Sequence, residues 1–203
     1  MQKMFNNMKV LILDQSQYLT HISDVSGLAN LEKFSFTNCE SLITIHNSVG
    51  YLIKLKTLNA LNCQKLESFP PLHLPSLNQL HLYSCKSLKS FPELLCEMTN
   101  IEAIDIINTS IEELPISFKN LSKLGVLNIS SVSLKILPEC LDECHHLVQI
   151  NMDGCTSLEE IRGFPPRLTQ LSAVGCVSLS WSSRRWLLSE VCCFILQYIV
   201  FDI

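Results

Sequence analysis

An α/β solenoid is the fold class that this sequence predicts: a horseshoe arc of about eight stacked turns. Short parallel strands would line its concave face, and irregular or short helical turns its convex face. Three observations carry the expectation. One apolar pattern restarts at Met8, Leu31, Leu55, Leu77, Ile101, Leu124, Leu147 and Leu168, at spacings of 21 to 24 residues. Residues 55–70 (LKTLNALNCQKLESFP) and 77–92 (LNQLHLYSCKSLKSFP) keep the same apolar letters, cysteine and Phe-Pro while most of the spacers between them differ. The centre of each unit also alternates apolar and polar residues over only a few positions, as a short strand with one buried face requires.

The elements follow in order along each unit. Leu147, Ile150, Met152, Cys155 and Leu158 match the unit LxxLxLxx(N/C)xL, whose period defines leucine-rich repeats. The LxL centre is the strand, and successive centres pair in parallel. The ninth position points inward at the strand end and takes a small residue. It is Cys39, Cys63, Cys85, Cys155 and Cys176 in five units and Ser16, Thr109 and Val132 in the others. Free cysteine is commonly just a small buried side chain, so this column reads as packing. Phe69-Pro70, Phe91-Pro92, Leu114-Pro115, Leu137-Pro138 and Phe164-Pro165 mark the turn back, where proline ends strand pairing and holds an extended bend. One unit cannot bury its own apolar face; stacking merges the faces into a continuous core, which is why the buried letters recur and the exposed ones vary. The chain thus divides into a lead-in at 1–7, the array at 8–183 and an apolar tail at 184–203, and the array starts so near Met1 that it reads as a segment cut from a longer protein.

Composition narrows the function classes. Lys plus Arg total 15 against 19 Asp plus Glu, so no basic footprint for nucleic acid exists. The first fifteen residues hold only the apolar run Val10-Leu11-Ile12-Leu13, too short for the core of a secretory signal. Without a signal, the ten cysteines fit a reducing compartment and free thiols better than a disulfide framework. Residues 186–201 are apolar, but Glu190 and Gln197 interrupt them and they fall short of the ~20 residues of a membrane span.

Catalytic and cofactor chemistry is not visible. The six glycines (27, 50, 125, 154, 163, 175) are scattered, so no phosphate-binding loop forms. Cys140, Cys144, His145 and His146 form one constellation with ligand-like spacing, but no second pair accompanies it and it falls on a return segment. Glu112-Glu113 and Glu159-Glu160 are adjacent in sequence and point apart, which suits solvated turns rather than acid–base work. No catalytic, cofactor-binding or metal residue is assigned, and no enzyme is expected.

The third, fifth and seventh positions of each unit flank the buried leucines on the outward strand face, and packing does not dictate them. The fifth-position column runs Ile12, Ser35, Asn59, His81, Asp105, Asn128, Asn151, Ser172. Eight strands at ~4.8 Å give a surface about 38 Å long, the size of a protein partner rather than a small molecule. The candidate protein-binding residues are Gln79, His81, Tyr83, Asp105, Asn128, Gln149, Asn151 and Asp153, with Tyr83 as anchor because aromatic residues carry much interface energy. Ile107, Val126 and Val174 add apolar contact area to the same face. A polar exposed strand face also needs no function to explain it.

NCESLITIHNSVGYLIKLKTLNALNCQKLESFP, YSCKSLKSFPELLCEMTNIEAIDIINTSIEELPISFKNLSKLGVLNIS and MDGCTSLEEIRGFPPRLTQLSAVGCVSLS together resemble the leucine-rich-repeat region of plant intracellular immune receptors. The class is the Toll/interleukin-1-receptor, nucleotide-binding, leucine-rich-repeat (TIR-NBS-LRR) disease resistance proteins. The likeness spans roughly residues 8–183. The resemblance implies a cytoplasmic recognition module that senses a pathogen effector or a guarded host protein. In a full-length receptor the array would also restrain an adjacent nucleotide-binding domain. Two other readings stand beside it. Ile111–Leu121 (IEELPISFKNL) and Leu134–Cys144 (LKILPECLDEC) resemble scaffolds of small-GTPase signalling, although those lack CxSL units such as the ones at Cys39, Cys85 and Cys155. An extracellular receptor-kinase domain would call for a signal peptide and paired capping cysteines.

Overall fold

The computed structural model describes residue 5, residues 7–185 and residue 187. The expected apolar tail beyond residue 187, and with it most of the segment compared with a membrane span, lies outside the described residues.

Twelve short strands run through the described chain: β1 (Val10–Ile12), β2 (His21–Ile22), β3 (Lys33–Ser35), β4 (Thr44–Ile45), β5 (Thr57–Asn59), β6 (Gln79–His81), β7 (Ala103–Asp105), β8 (Val126–Asn128), β9 (Ile136–Leu137), β10 (Gln149–Asn151), β11 (Glu160–Ile161) and β12 (Gln170–Ser172). One strand from each of the eight units enters a single parallel sheet in the order β1-β3-β5-β6-β7-β8-β10-β12. Parallel neighbours demand a long crossover, and here the crossover is the rest of each repeat. The fold class is the one expected from the apolar period.

Burial follows the repeat letter by letter. Leu55, Leu58, Ala60, Cys63 and Leu66, at positions one, four, six, nine and twelve of the third unit, are wholly buried, and so are Leu147, Ile150, Met152, Cys155 and Leu158. The first unit differs: Met8, Leu11 and Leu13 are only partly buried, because no described turn covers their outer side. The return side is more ordered than irregular turns alone. β2 pairs with β4 and β9 with β11, both in parallel. Three 3-10 helices occupy Asn47–Tyr51, Ile116–Asn120 and Glu139–Glu143. Pro115 and Pro138 sit extended immediately before the last two (φ −69° and −79°), so each proline presets the entry of a helix, and Leu137-Pro138 also ends β9.

The ninth-position thiols join turn to turn. Cys39 Sγ donates to the Leu13 carbonyl at 3.2 Å, Cys63 to Phe36 at 3.1 Å, Cys85 to Ala60 at 3.0 Å, Cys155 to Ile129 at 2.9 Å and Cys176 to Met152 at 3.0 Å. In every case the acceptor is position six of the preceding unit. A small weak donor therefore meets a strand-end carbonyl, and at Phe36, Ala60 and Ile129 no backbone N–H of the described residues serves that oxygen, whereas Leu13 and Met152 also accept from Ser16 N at 3.3 Å and Cys155 N at 3.2 Å. Thr109 breaks the series by donating to Ile106 of its own unit at 3.1 Å.

A second column escaped the sequence reading. Position eight is left-handed in all eight units: Gln15, Asn38, Asn62, Ser84, Asn108 and Ser131 have φ between 55° and 60°, and Gly154 and Gly175 have φ of 70° and 74°. The chain must reverse from strand to return within one residue. That geometry favours Gly and Asn, because a Cβ crowds the following carbonyl. Side chains of this column also connect neighbours, with Asn62 Nδ2 donating to Asn38 Oδ1 and Asn108 Nδ2 to Ser84 Oγ, both at 2.9 Å.

The proposed ligand-like constellation is split. Cys140 and Cys144 are buried, with thiols directed to the Pro115 and Cys140 carbonyls at 3.7 and 3.8 Å, whereas His145 and His146 are exposed. The glutamate pairs sit in solvated returns: Glu112 pairs with Lys135 at 3.1 Å and Glu160 with Arg162 at 2.8 Å.

Candidate protein-binding face

Strand pairing places the fifth-position residues directly side by side. Ile12 lies opposite Ser35, Ser35 opposite Asn59, and Asn59 opposite His81. His81 lies opposite Asp105, Asp105 opposite Asn128, Asn128 opposite Asn151, and Asn151 opposite Ser172. Alternation along each strand turns Leu58, Leu80, Ile104, Leu127 and Ile150 into the core and these residues to the opposite side, where Ser35 is nevertheless buried.

Not every outward residue is equally available. Asn128 Oδ1 accepts from Ser130 N at 3.2 Å and Ser130 Oγ at 2.7 Å, and Asn151 Oδ1 accepts from Asp153 N at 3.0 Å. Asn59 Oδ1 does the same with Leu61 N at 3.2 Å. These are Asx turns, in which the side chain ends the strand by taking the N–H two residues on. Asp153 Oδ1 accepts from Ser172 Oγ at 2.6 Å and Val174 N at 2.8 Å in the next unit. Asp14 repeats this with Ser35 Oγ at 2.7 Å and Thr37 N at 2.8 Å. Three of the eight candidates, Asn128, Asn151 and Asp153, therefore have an oxygen engaged in building the turn.

The remaining candidates gather around the middle and the far part of the sheet. Gln79 makes one contact, its Oε1 accepting from Thr57 Oγ1 at 3.3 Å. His81, Tyr83, Asp105 and Gln149 make no side-chain hydrogen bond to other described residues. Tyr83, in the turn that follows β6, is 40% exposed, a large apolar surface that packing leaves in water. Ile107, Val126 and Val174 are half-buried on the same face, so they offer less apolar area than their positions suggested.

Charge on this face is sparse. At the strand entries Glu32 lies between Lys9 at 2.8 Å and Lys56 at 2.7 Å. The hydrogen bonds from Lys56 and Lys9, reinforced by their charges, bring the Glu32 carboxyl down to about 2. All three side chains are solvated, so the ladder aligns neighbouring units without contributing much stability.

Residues 73–169 match the family model described as disease resistance protein RPS4B-like, leucine-rich repeats. The Arabidopsis thaliana disease resistance protein RML1B is 34% identical over 85% of this chain, and RPS4B of the same plant is 36% identical over 85%. The repeat array belongs to the leucine-rich-repeat family of plant disease resistance proteins. TMV resistance protein N of Nicotiana glutinosa, 31% identical over 73% of the chain, agrees with that placement. This resistance-type array spans 19%, 18% and 13% of the length of those three relatives. Among solved structures, the leucine-rich-repeat domain of the type III effector XCV3220 (XopL) superposes with a TM-score of 0.67 at 22% identity, covering 84% of this chain and 70% of that one, and it shows the shared fold. Among the described residues no helix is long and apolar enough to cross a membrane.

Proposed function

We propose that the resistance-type array is a non-enzymatic recognition module of plant innate immunity. It acts in the cytoplasm and binds a protein, either a pathogen effector or a guarded host protein, through the parallel sheet. The observation that carries this reading is a set of side chains that the fold does not use: His81, Asp105 and Gln149 on the strands and Tyr83 in the turn after β6 make no side-chain hydrogen bond to other described residues. Kinship with disease resistance proteins supplies the biological setting. In a full-length receptor the same array would also face a nucleotide-binding domain, and partner binding on the sheet would relieve that contact.

The test uses the purified chain against a panel of purified pathogen effectors and candidate host proteins, with affinities read by biolayer interferometry. Tyr83→Ala is expected to weaken capture at least tenfold, as loss of an aromatic anchor does, with an unchanged circular-dichroism melt. Lys123→Ala, on an exposed return position, is expected to leave capture unchanged. Undiminished binding by both Tyr83→Ala and Asp105→Ala would contradict the reading.

A further inference from the structure

We infer that the centre of the sheet holds a subsite for a basic side chain of the protein partner, an arginine above all, built from Asp105 with Tyr83 and His81 beside it. The inference rests on the reading that the sheet is the binding face, and it adds the chemistry of what is bound.

Asp105 is set apart by what its counterparts do. The other two aspartates of the sheet face, Asp14 and Asp153, each direct an oxygen to a serine hydroxyl and a backbone N–H of the next unit. They are structural acceptors whose charge is met by donors. Asp105 is exposed and has no hydrogen-bond or ion-pair partner among the described residues. Its strand neighbours in register are His81 and Asn128, and Ala103 on its own strand adds no donor. The one cation at the third, fifth or seventh position of a unit is Lys33 on β3. It lies three strand spacings from β7, about 14 Å at ~4.8 Å per strand, beyond the screening length of physiological salt. The middle of the face thus carries one uncompensated negative charge beside an exposed aromatic ring.

The sheet is also loosest here. Each of the other six junctions pairs three residues in register, whereas β6 and β7 pair only at His81 and Asp105. A cationic group entering over that pair would lie against the Asp105 carboxylate, with Tyr83 two residues beyond His81 in the neighbouring unit. A guanidinium suits both, since its planar fork donates two parallel hydrogen bonds to a carboxylate and its face stacks on an aromatic ring. A lysine ammonium would satisfy the charge but not the plane.

The experiment pans a random twelve-residue displayed peptide library against the full chain, against Asp105→Asn and against Asp105→Arg, and counts residues in the peptides that Tyr83→Ala fails to retain. Wild-type selection is expected to enrich arginine, and lysine to a lesser degree, roughly tenfold at one peptide position, the ratio that one charge-assisted pair gives. Asp105→Asn should abolish that enrichment, and Asp105→Arg should replace it with glutamate or aspartate. Since Asp105 is exposed, both variants should keep the wild-type melt. Peptides that depend on Tyr83 but show no basic enrichment, or an enrichment that survives Asp105→Asn, overturn the subsite while leaving the binding face standing. Failure to obtain any Tyr83-dependent peptide overturns both.

Discussion

A thiol at the ninth position is small enough to sit inside the stack and polar enough to meet the carbonyl of the preceding turn. Cys63 is wholly buried with its Sγ 3.1 Å from the Phe36 carbonyl, and Cys85 repeats the arrangement with Ala60 at 3.0 Å. Burial opposes the thiolate, which pushes Cys63 up to about 12 and Cys85 up to about 11. The folded chain thus holds these protons more tightly than the unfolded chain, whose thiols release them near the ordinary value of 9.0. Their contribution to stability is complete below pH 9 and drains away as the pH rises toward 11 to 12. The unfolding free energy obtained from urea titration should accordingly hold steady up to about pH 8.5 and fall above it, by order of 1 kcal/mol for each pH unit and each such thiol, carrying the midpoint down with it. Replacing Cys63 and Cys85 by alanine should flatten that decline, and a midpoint equally sensitive in the double variant would show that other groups cause it.

The elements differ less in what they are than in how firmly each holds the next. At most junctions the carbonyl of position two in one unit accepts the N–H of position three in the following unit. Examples are Gln79 N to Lys56 O at 3.0 Å, Val126 N to Glu102 O at 3.1 Å and Gln149 N to Gly125 O at 3.1 Å. No such bond joins Ala103 N to Asn78 O among the described residues. The thiol link is missing at the same junction, because Thr109 bonds within its own unit. Contacts persist on the far side of the strands: Ser84 N bonds Ile107 O at 2.9 Å, and Met98 N bonds Asn120 O at 2.8 Å. The bond that Ala60 N makes to His81 O at 2.9 Å also has no counterpart between Leu82 N and Asp105 O among the described residues, so the β6–β7 junction is closed at the turn and open at both the strand entry and the strand exit. Local opening exposes backbone amides in proportion to how weakly they are held, so hydrogen exchange should replace the Ala103 amide at least tenfold faster than those of Gln79 and Val126. Equal protection at the three amides would show a uniform sheet.

At the scale of the whole chain, the stack was legible in the sequence wherever burial repeats. Leu58, Leu80, Ile104, Leu127 and Ile150 share one column because each must pack against the one before it, and a shared requirement leaves a shared letter. The left-handed turn at position eight was not legible. Gln15, Asn62, Ser84 and Gly154 meet the same backbone demand with different chemistry, so the period is in the dihedral angle and not in the residue type. The proposed binding face was half legible. Alternation showed that Asn128, Asn151 and Asp153 face outward, but their engagement in turns depends on an N–H two residues away or a serine one unit on, which no spacing rule for the face contains. The loose junction was hidden for a similar reason: through the strands the letters at 77–82 and 101–106 continue the pattern, and the departure at Thr109 falls only after them.

All three scales rest on the eight strands lying side by side in one sheet, in the register that superposes like positions. Electron–electron distance measurement between nitroxide amino acids placed at Lys33 and Gln170, both at the third position and six strand spacings apart, tests that directly. The stack gives one narrow distribution centred near 29 Å, six steps of ~4.8 Å. A broad distribution, or a centre below about 20 Å, would contradict it.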